Sequence, residues 1–170
     1  MAYFSDYILE AFKKLYTNDS YLLASDSTEA SLQFRIALYL AAKLENNDLN
    51  IDCEYNTVNI NNTIEYKECS NTKHARIDII YHKRGTSDKN IFVIELKKKS
   101  QNNTAEKILM DKLRVKYLVS NIQYRYKEGY SIYNISKNGF SVYYIKRTQD
   151  NILTEGDFTV SARDFRILNI

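Results

Sequence analysis

The pattern of hydrophobic and polar positions changes along the chain from helical spacing to alternation. Over residues 3–16 the apolar side chains recur at helical spacing, and a polar stretch over 17–27 follows. A second helical pattern covers 28–46. The first apolar stripe consists of Phe4, Ile8, Phe12 and either Leu15 or Tyr16. The second consists of Leu32, Ile36, Tyr39, Leu40 and Leu44. Asp26 and Glu29 have the spacing of a capping box at the start of the second helix.

Beyond residue 50 the apolar positions alternate, which is typical of strands. A short strand is predicted over 51–56 and a hairpin over 57–66. Two strongly apolar strands follow at 76–83 and 91–98. Because both are apolar over most of their length, we expect them in the centre of a sheet.

The last predicted elements are a third helix and a hairpin. The helix covers 104–120, and the hairpin pairs 130–135 with 140–146 around Asn138-Gly139, a dipeptide that favours a tight turn. The predicted buried face of the helix consists of Ile108, Leu109, Leu113, Tyr117 and Leu118. The last 25 residues have no assigned element. The order of elements predicts an α/β or α+β fold in which helices flank a central mixed β-sheet.

Composition narrows the class of protein. The chain has 170 residues, which suits a single domain over 1–170, and it has no proline and four glycines. Tyr, Asn, Ile and Lys together make up 66 of the residues, a bias that A/T-rich codons explain. Two cysteines make no disulfide framework, and no apolar run approaches the roughly 20 residues of a membrane span. We therefore expect a cytoplasmic protein with no membrane partner.

The net charge of +3 is unevenly distributed. Residues 97–127 hold nine Lys or Arg and two acids, so this segment carries +7. A basic segment on a nearly neutral chain suits a polyanionic partner. A solvated lysine-rich surface is an equally good explanation.

Two carboxylates interrupt the apolar strands. Asp78 lies in the strand at 76–83 and Glu95 in the strand at 91–98, where a buried carboxylate needs a counter-ion or a metal. Two strands joined by a short turn bring the two acids close together. Hard oxygen ligands suit Mg²⁺, which takes one or two protein carboxylates, and Mn²⁺ is the alternative. Lys97 shares a face with Glu95 and is placed to orient a water or to stabilise charge on phosphorus. A simple ion-pair network remains the alternative interpretation.

With these residues the chain resembles the PD-(D/E)XK nuclease superfamily, which has the restriction-endonuclease-like fold. The motif of that family is an acid on the strand before Glu-x-Lys, here Asp78 with Glu95 and Lys97. The strings at 52–56, 77–85 and 90–98 are similar to those of small bacterial and phage members, and the resemblance spans about 28–145. The family core is helix, three strands, helix, strand. One departure is Ile77, which stands where the family has proline.

The resemblance implies roles for individual residues. Asp78 and Glu95 would bind Mg²⁺ or Mn²⁺ together with the backbone carbonyl of Leu96, and Lys97 would serve the attacking water. Glu29 would face the site from the early helix, with a capping role as the alternative. Phosphate contacts would come from basic residues of the +7 segment, namely Lys98, Lys99, Lys107, Lys112 and Arg114.

Other polar positions are weaker candidates. Glu54 either faces the site or lies on the surface, and we favour the surface. His74 and His82 are interpreted as ordinary polar positions. Tyrosines that either stack on bases or belong to the core are Tyr117, Tyr124, Tyr126, Tyr130 and Tyr133.

The sequence thus predicts a metal-dependent nuclease that hydrolyses phosphodiester bonds in DNA, with RNA as the alternative substrate. Homodimers are common in the superfamily. Two rival interpretations stay open: a catalytically inactive nucleic-acid-binding or assembly module with the same fold, and an interaction domain in which the acids form only ion pairs.

Overall fold

The computed structural model describes residues 5–24, 27–44, 48–60, 63–67, 75–100 and 104–169. The helices are α1 (Asp6–Asn18), α2 (Ser20–Ala24), α3 (Glu29–Lys43) and α4 (Ala105–Ser120). The first five strands are β1 (Asn50–Tyr55), β2 (Thr57–Ile60), β3 (Thr63–Tyr66), β4 (Ile77–His82) and β5 (Asn90–Lys98). The remaining strands are β6 (Glu128–Ser136), β7 (Gly139–Arg147), β8 (Leu153–Ser161) and β9 (Ile167–Asn169).

A seven-stranded sheet organises the chain in the order β1-β4-β5-β6-β7-β8-β9, and β2 pairs with β3 in a separate ribbon. The pair β5–β6 is parallel, and α4 supplies the crossover connection that a parallel pair needs. The other pairs of this sheet are antiparallel. The predicted α+β class, with a mixed sheet and flanking helices, is therefore confirmed. Among the described residues, no helix has both the length and the apolar character needed to cross a bilayer.

The sheet is covered on both faces, which explains why β4 and β5 are apolar over most of their length. Phe92, Ile94 and Leu96 of β5 pack with α1 and α3 in the larger core cluster. Val93, between them, packs with Val115 of α4 in the second cluster. Asp78, Glu95 and Lys97 alternate with the first set along their strands, so they lie on the α4 face of the sheet.

The start of α3 differs from the prediction. The N-cap is Thr28, whose hydroxyl accepts a hydrogen bond from Ser31 N at 3.4 Å. Asp26, the predicted cap, lies outside the described residues. A further difference is that the predicted polar stretch contains α2, which buries Leu23.

The buried face of α4 also differs from the prediction. Leu118 is buried as predicted, but Leu109, Leu113 and Tyr117 are exposed. The face packed on the sheet consists of Asp111, Val115, Leu118 and Val119. The helix carries two apolar stripes, and spacing alone does not decide which of them meets the sheet.

Two glycines allow close contacts around β6 and β7. The hairpin turn consists of Lys137 and Asn138, one residue before the predicted Asn138-Gly139 turn. Gly139 follows the turn with φ of 140°, and a Cβ there would lie 2.1 Å from Val160 O. Gly129 lies under α4, where a Cβ would meet Val115 Cγ1 at 2.5 Å. The absence of a side chain at Gly129 therefore lets α4 approach the sheet.

Candidate active site

The pairing of β4 with β5 places Asp78 and Glu95 side by side. Ile79 pairs with Ile94 and Ile80 with Val93, and the same register continued by one residue sets Asp78 opposite Glu95. The backbone N–H of Leu96 donates a 2.7 Å hydrogen bond to Asp78 Oδ2. The position of the Asp78 carboxylate is thus tied to the strand that carries Glu95.

Glu95 is 4% exposed and has a cation from α4 as its partner. Arg114 Nη1 donates a 2.9 Å hydrogen bond to Glu95 Oε1 and lies 3.6 Å from Asp111 Oδ1. The resemblance implies that Arg114 contacts phosphate. In the structure its guanidinium is paired with the carboxylate of Glu95.

Lys97 lies between carboxylates from two helices. Its Nζ is 3.3 Å from Glu29 Oε1 and 3.5 Å from Asp111 Oδ2. Glu29 Oε2 also accepts a 2.8 Å hydrogen bond from the backbone N–H of Lys98. These contacts place the Glu29 carboxylate at the end of β5. Asp26, the other member of the predicted capping box, lies outside the described residues.

These side chains form one group, here named the charged cluster. Its members are Glu29, Asp78, Glu95, Lys97, Asp111 and Arg114. With four carboxylates and two cations, its formal charge is negative when every member is ionised.

Burial and mutual repulsion make the acids of the cluster hard to ionise. Desolvation raises the pKa of Asp78 from 3.8 to about 6, even though the Leu96 N–H and Lys97 favour its charged form. Desolvation and the negative charge of Asp78 raise the pKa of Glu95 well above its ordinary value, against the attraction of Arg114. Desolvation likewise raises the pKa of Asp111. The cluster therefore favours either a proton or a further cation.

The pKa of Lys97 is also raised, which for a lysine favours the charged form. Burial alone would lower its pKa, but the negative charges of Asp111 and Glu29 outweigh burial and raise it. The ammonium of Lys97 is therefore held in its charged form, able to donate hydrogen bonds.

Asp111 is the member of the cluster to which no role is assigned from the sequence. It lies three residues before Arg114 and four before Val115, on the helix stripe that faces the sheet. The signal in the sequence is a carboxylate on an apolar stripe of α4. It was missed because the predicted buried face was the stripe with Leu109 and Leu113, which is exposed.

Glu54 lies at the border of the site. On β1, Cys53 pairs with Ile79 and Tyr55 with Ile77. This register sets Glu54 opposite Asp78. Its side chain is half exposed, with Arg76 Nε at 3.6 Å. Its negative charge adds a minor contribution, after desolvation, to the raised pKa of Asp78.

His82 does not belong to the charged cluster. His82 is buried and its Nε2 lies 2.9 Å from Asp52 Oδ2, which agrees with its interpretation as an ordinary polar residue. Burial lowers the pKa of His82, so its ring favours the neutral form. His74 lies outside the described residues.

The lysines predicted to contact phosphate differ in their surroundings. Lys99 and Lys107 are exposed. Lys98 Nζ donates to Leu22 O at 3.0 Å and to Ser27 O at 3.2 Å, contacts that join β5 to the chain before α3. Lys112 pairs with Asp157. Lys99 and Lys107 are therefore better placed than Lys98 and Lys112 to contact a polyanion.

The tyrosines divide between the core and the surface. Tyr124, Tyr126 and Tyr130 are buried, so they belong to the core. Tyr117 is exposed and Tyr133 is half-buried. Base stacking stays a prediction for Tyr117 and Tyr133 alone.

The residues present fit a divalent metal ion. Asp78 and Glu95 supply hard oxygen donors, and a cation between them would relieve the repulsion that raises the pKa of Glu95. Within the described ranges there is no group of three or more His, Cys, Asp or Glu side chains arranged to hold a metal. A site here would thus rest on two carboxylates, the Leu96 carbonyl and water.

Comparisons of the chain with protein-family models, curated proteins and solved structures find no match. Functional inference for this chain therefore rests on the geometry of the charged cluster and on the fold.

Proposed function

We propose that this chain is a divalent-metal-dependent nuclease that hydrolyses phosphodiester bonds in DNA. The observation that carries the proposal is the placement of Asp78, Glu95 and Lys97 on one face of two paired central strands. Two adjacent carboxylates that can hold a cation and a charged lysine beside them are the groups that metal-assisted hydrolysis needs.

The order of elements supports membership in the PD-(D/E)XK superfamily. Helix α3, strands β1, β4 and β5, helix α4 and strand β6 follow one another, with the β2–β3 ribbon inserted after β1. This is the helix, three strands, helix, strand order that the resemblance implies. The catalytic acids lie on the second and third of these strands, as the motif requires.

The residues have distinct roles in the proposed reaction. Asp78, Glu95 and the carbonyl of Leu96 would hold Mg²⁺ or Mn²⁺, with Asp78 oriented by the Leu96 N–H. When bound, such an ion polarises a phosphoryl oxygen and lowers the pKa of a coordinated water. Lys97, held by Glu29 and Asp111, donates hydrogen bonds to the attacking water or to the phosphate.

The proposed partner is DNA, with RNA as the alternative. The exposed lysines Lys99 and Lys107 lie near the end of β5 and the start of α4, close in sequence to the charged cluster. Phosphate contacts from such lysines give affinity without sequence specificity. A cytoplasmic location and a homodimer complete the proposal as expectations.

A second candidate function is a catalytically inactive nucleic-acid-binding or assembly module with the same fold. The observation that favours it is the existing pairing of Glu95 with Arg114 and of Lys97 with two acids. In such a module the charged cluster is an ion-pair network that needs no metal.

The test of the nuclease proposal is cleavage of supercoiled plasmid and of linear DNA with Mg²⁺, with Mn²⁺ and with chelator. We expect metal-dependent cleavage that Asp78→Asn and Glu95→Gln abolish. Asp19→Asn is the matched control, because Asp19 is a half-buried carboxylate paired with Arg35 outside the cluster. Metal-dependent cleavage that survives in both site variants would contradict the assignment, and Mn²⁺ calorimetry without binding would favour the inactive module.

A further inference from the structure

One nitrogen of Arg114 lies between two carboxylates. Nη1 is 2.9 Å from Glu95 Oε1 and 3.6 Å from Asp111 Oδ1. The shorter contact is a charge-assisted hydrogen bond, and the longer one is an ion pair without hydrogen-bond geometry. The guanidinium thus has a second acceptor already in place on its own helix, one turn away.

Asp111 has acceptor capacity that the described contacts leave unused. The residue is 6% exposed, and its Oδ2 is buried and makes no hydrogen bond with any described residue. Lys97 Nζ lies 3.5 Å from that oxygen. A buried carboxylate oxygen without a hydrogen bond is costly, and a donor that moved closer to Asp111 would reduce the cost.

Arg114 and a divalent cation would compete for the same carboxylate. Glu95 is the most buried acid of the proposed metal pair, and its Oε1 is engaged by Arg114. Two positive groups on one buried carboxylate repel each other. The presence of Asp111 within 3.6 Å of Nη1 offers the guanidinium a position that removes this conflict.

We propose that Arg114 is a built-in competitor for the metal at Glu95 and that Asp111 is the residue that takes up its guanidinium when the metal binds. This inference rests on the proposed function, since it presumes a metal at Asp78 and Glu95. In the metal-free protein Arg114 offsets the charge of Glu95, and the exchange of ion-pair partners releases Glu95 for the metal. It also makes the metal affinity of the site depend on a residue that is not a ligand.

The test is calorimetric titration with Mn²⁺ alone, which needs neither substrate nor activity. We expect Arg114→Gln to tighten Mn²⁺ binding by about tenfold, because it removes a charged competitor while keeping a donor. Lys116→Gln is the matched control. It removes the same charge from α4, but Lys116 pairs with exposed Glu155, so we expect less than about a twofold change.

The role of Asp111 is tested by a double-mutant cycle. Asp111→Asn should weaken Mn²⁺ binding in the natural chain, because it removes the negative charge that would take up the guanidinium of Arg114. In the Arg114→Gln background the same substitution should have a much smaller effect, because there is no guanidinium to accommodate. Equal weakening in both backgrounds would show a general charge effect and would overturn the proposal.

The outcomes separate this inference from the proposed function. Mn²⁺ binding by the natural chain that Arg114→Gln leaves unchanged or weakens would overturn the inference and leave the metal site standing. No binding by the natural chain or by Arg114→Gln would remove the metal site, and the inference with it. If Arg114→Gln does not fold, Arg114→Met retains most of the side-chain stem and is expected to tighten binding in the same way.

Discussion

The backbone N–H of Leu96 donates a 2.7 Å hydrogen bond to the carboxylate of Asp78 across the central strand pair. Leu96 stands between Glu95 and Lys97 in the chain, so this bond joins the first acid of the proposed site to the strand that carries the other two groups. The geometry of the site is therefore built into the sheet and does not depend on a loop.

This bond separates two roles of Asp78. Asp78→Asn keeps an oxygen for the Leu96 N–H and removes the charge, whereas Asp78→Ala removes both. We expect neither variant to bind Mn²⁺, and we expect Asp78→Ala to be about 1 kcal/mol less stable than Asp78→Asn. Denaturant unfolding and calorimetry measure the two effects. Mn²⁺ binding by Asp78→Asn equal to that of the natural chain would exclude Asp78 as a ligand.

The raised pKa of Asp78 predicts how stability depends on pH. Its pKa rises from 3.8 in its ordinary state to about 6 in the folded chain, so the folded state binds more protons between these values. Protonated Asp78 therefore contributes to the free energy of unfolding. This contribution is fully present below about pH 4 and is lost as the pH rises through about 6. Asp78→Asn should flatten this part of the stability profile. A profile with the same slope in both proteins would contradict the assignment.

The same protonation predicts the pH dependence of metal binding. A carboxylate must lose its proton to bind a metal, so Mn²⁺ affinity should increase as the pH rises through about 6. The buried Glu95, whose pKa is raised further, should extend the increase to higher pH. Calorimetric titrations between pH 5 and pH 8 measure this, and affinity independent of pH would argue against the two acids as ligands.

Lys97 should be needed for the reaction and not for the metal. Lys97→Met removes a cation next to the proposed site, so Mn²⁺ affinity should be unchanged or increased, while DNA cleavage falls at least about a hundredfold. The control is Lys13→Met, in an exposed pair with Glu10 on α1. Cleavage by Lys97→Met at the rate of the natural chain would remove Lys97 from the mechanism.

Gly129 should determine how closely α4 approaches the sheet. Gly129→Ala places a Cβ 2.5 Å from Val115 Cγ1 and 2.8 Å from Val119 Cγ2, so we expect a loss of about 1–3 kcal/mol in stability. Val115→Ala opens the space and should recover part of the loss when the two are combined. If the two substitutions lower the free energy of unfolding additively, the contact between the new Cβ and Val115 is not the cause of the loss.

Much of the fold follows from the sequence where burial and spacing agree. Strands β4 and β5 are apolar on both sides because helices cover both faces, and the carboxylates within them mark the site. Strands β8 and β9 were not predicted, since no element was assigned to the last 25 residues from the sequence. β8 is exposed over its first residues, so it lacks an alternating pattern, and its pairing with β7 is a tertiary contact.

The part of the site on α4 was not predictable, for a related reason. The helix has an exposed stripe with Leu109 and Leu113 and a buried stripe with Val115 and Leu118, and hydrophobic spacing fits both. Only the packing of α4 against β5 and β6 decides between them. That choice brings Asp111 and Arg114 to Glu95 and Lys97.

The most direct test of the metal site is a Mn²⁺ soak of crystals of the natural chain, read by anomalous scattering. We predict a peak bound by Asp78, Glu95 and the carbonyl of Leu96, with the guanidinium of Arg114 on Asp111. Crystals soaked at a concentration that saturates binding in solution, but with no peak between Asp78 and Glu95, would contradict the assignment of these residues as a metal site.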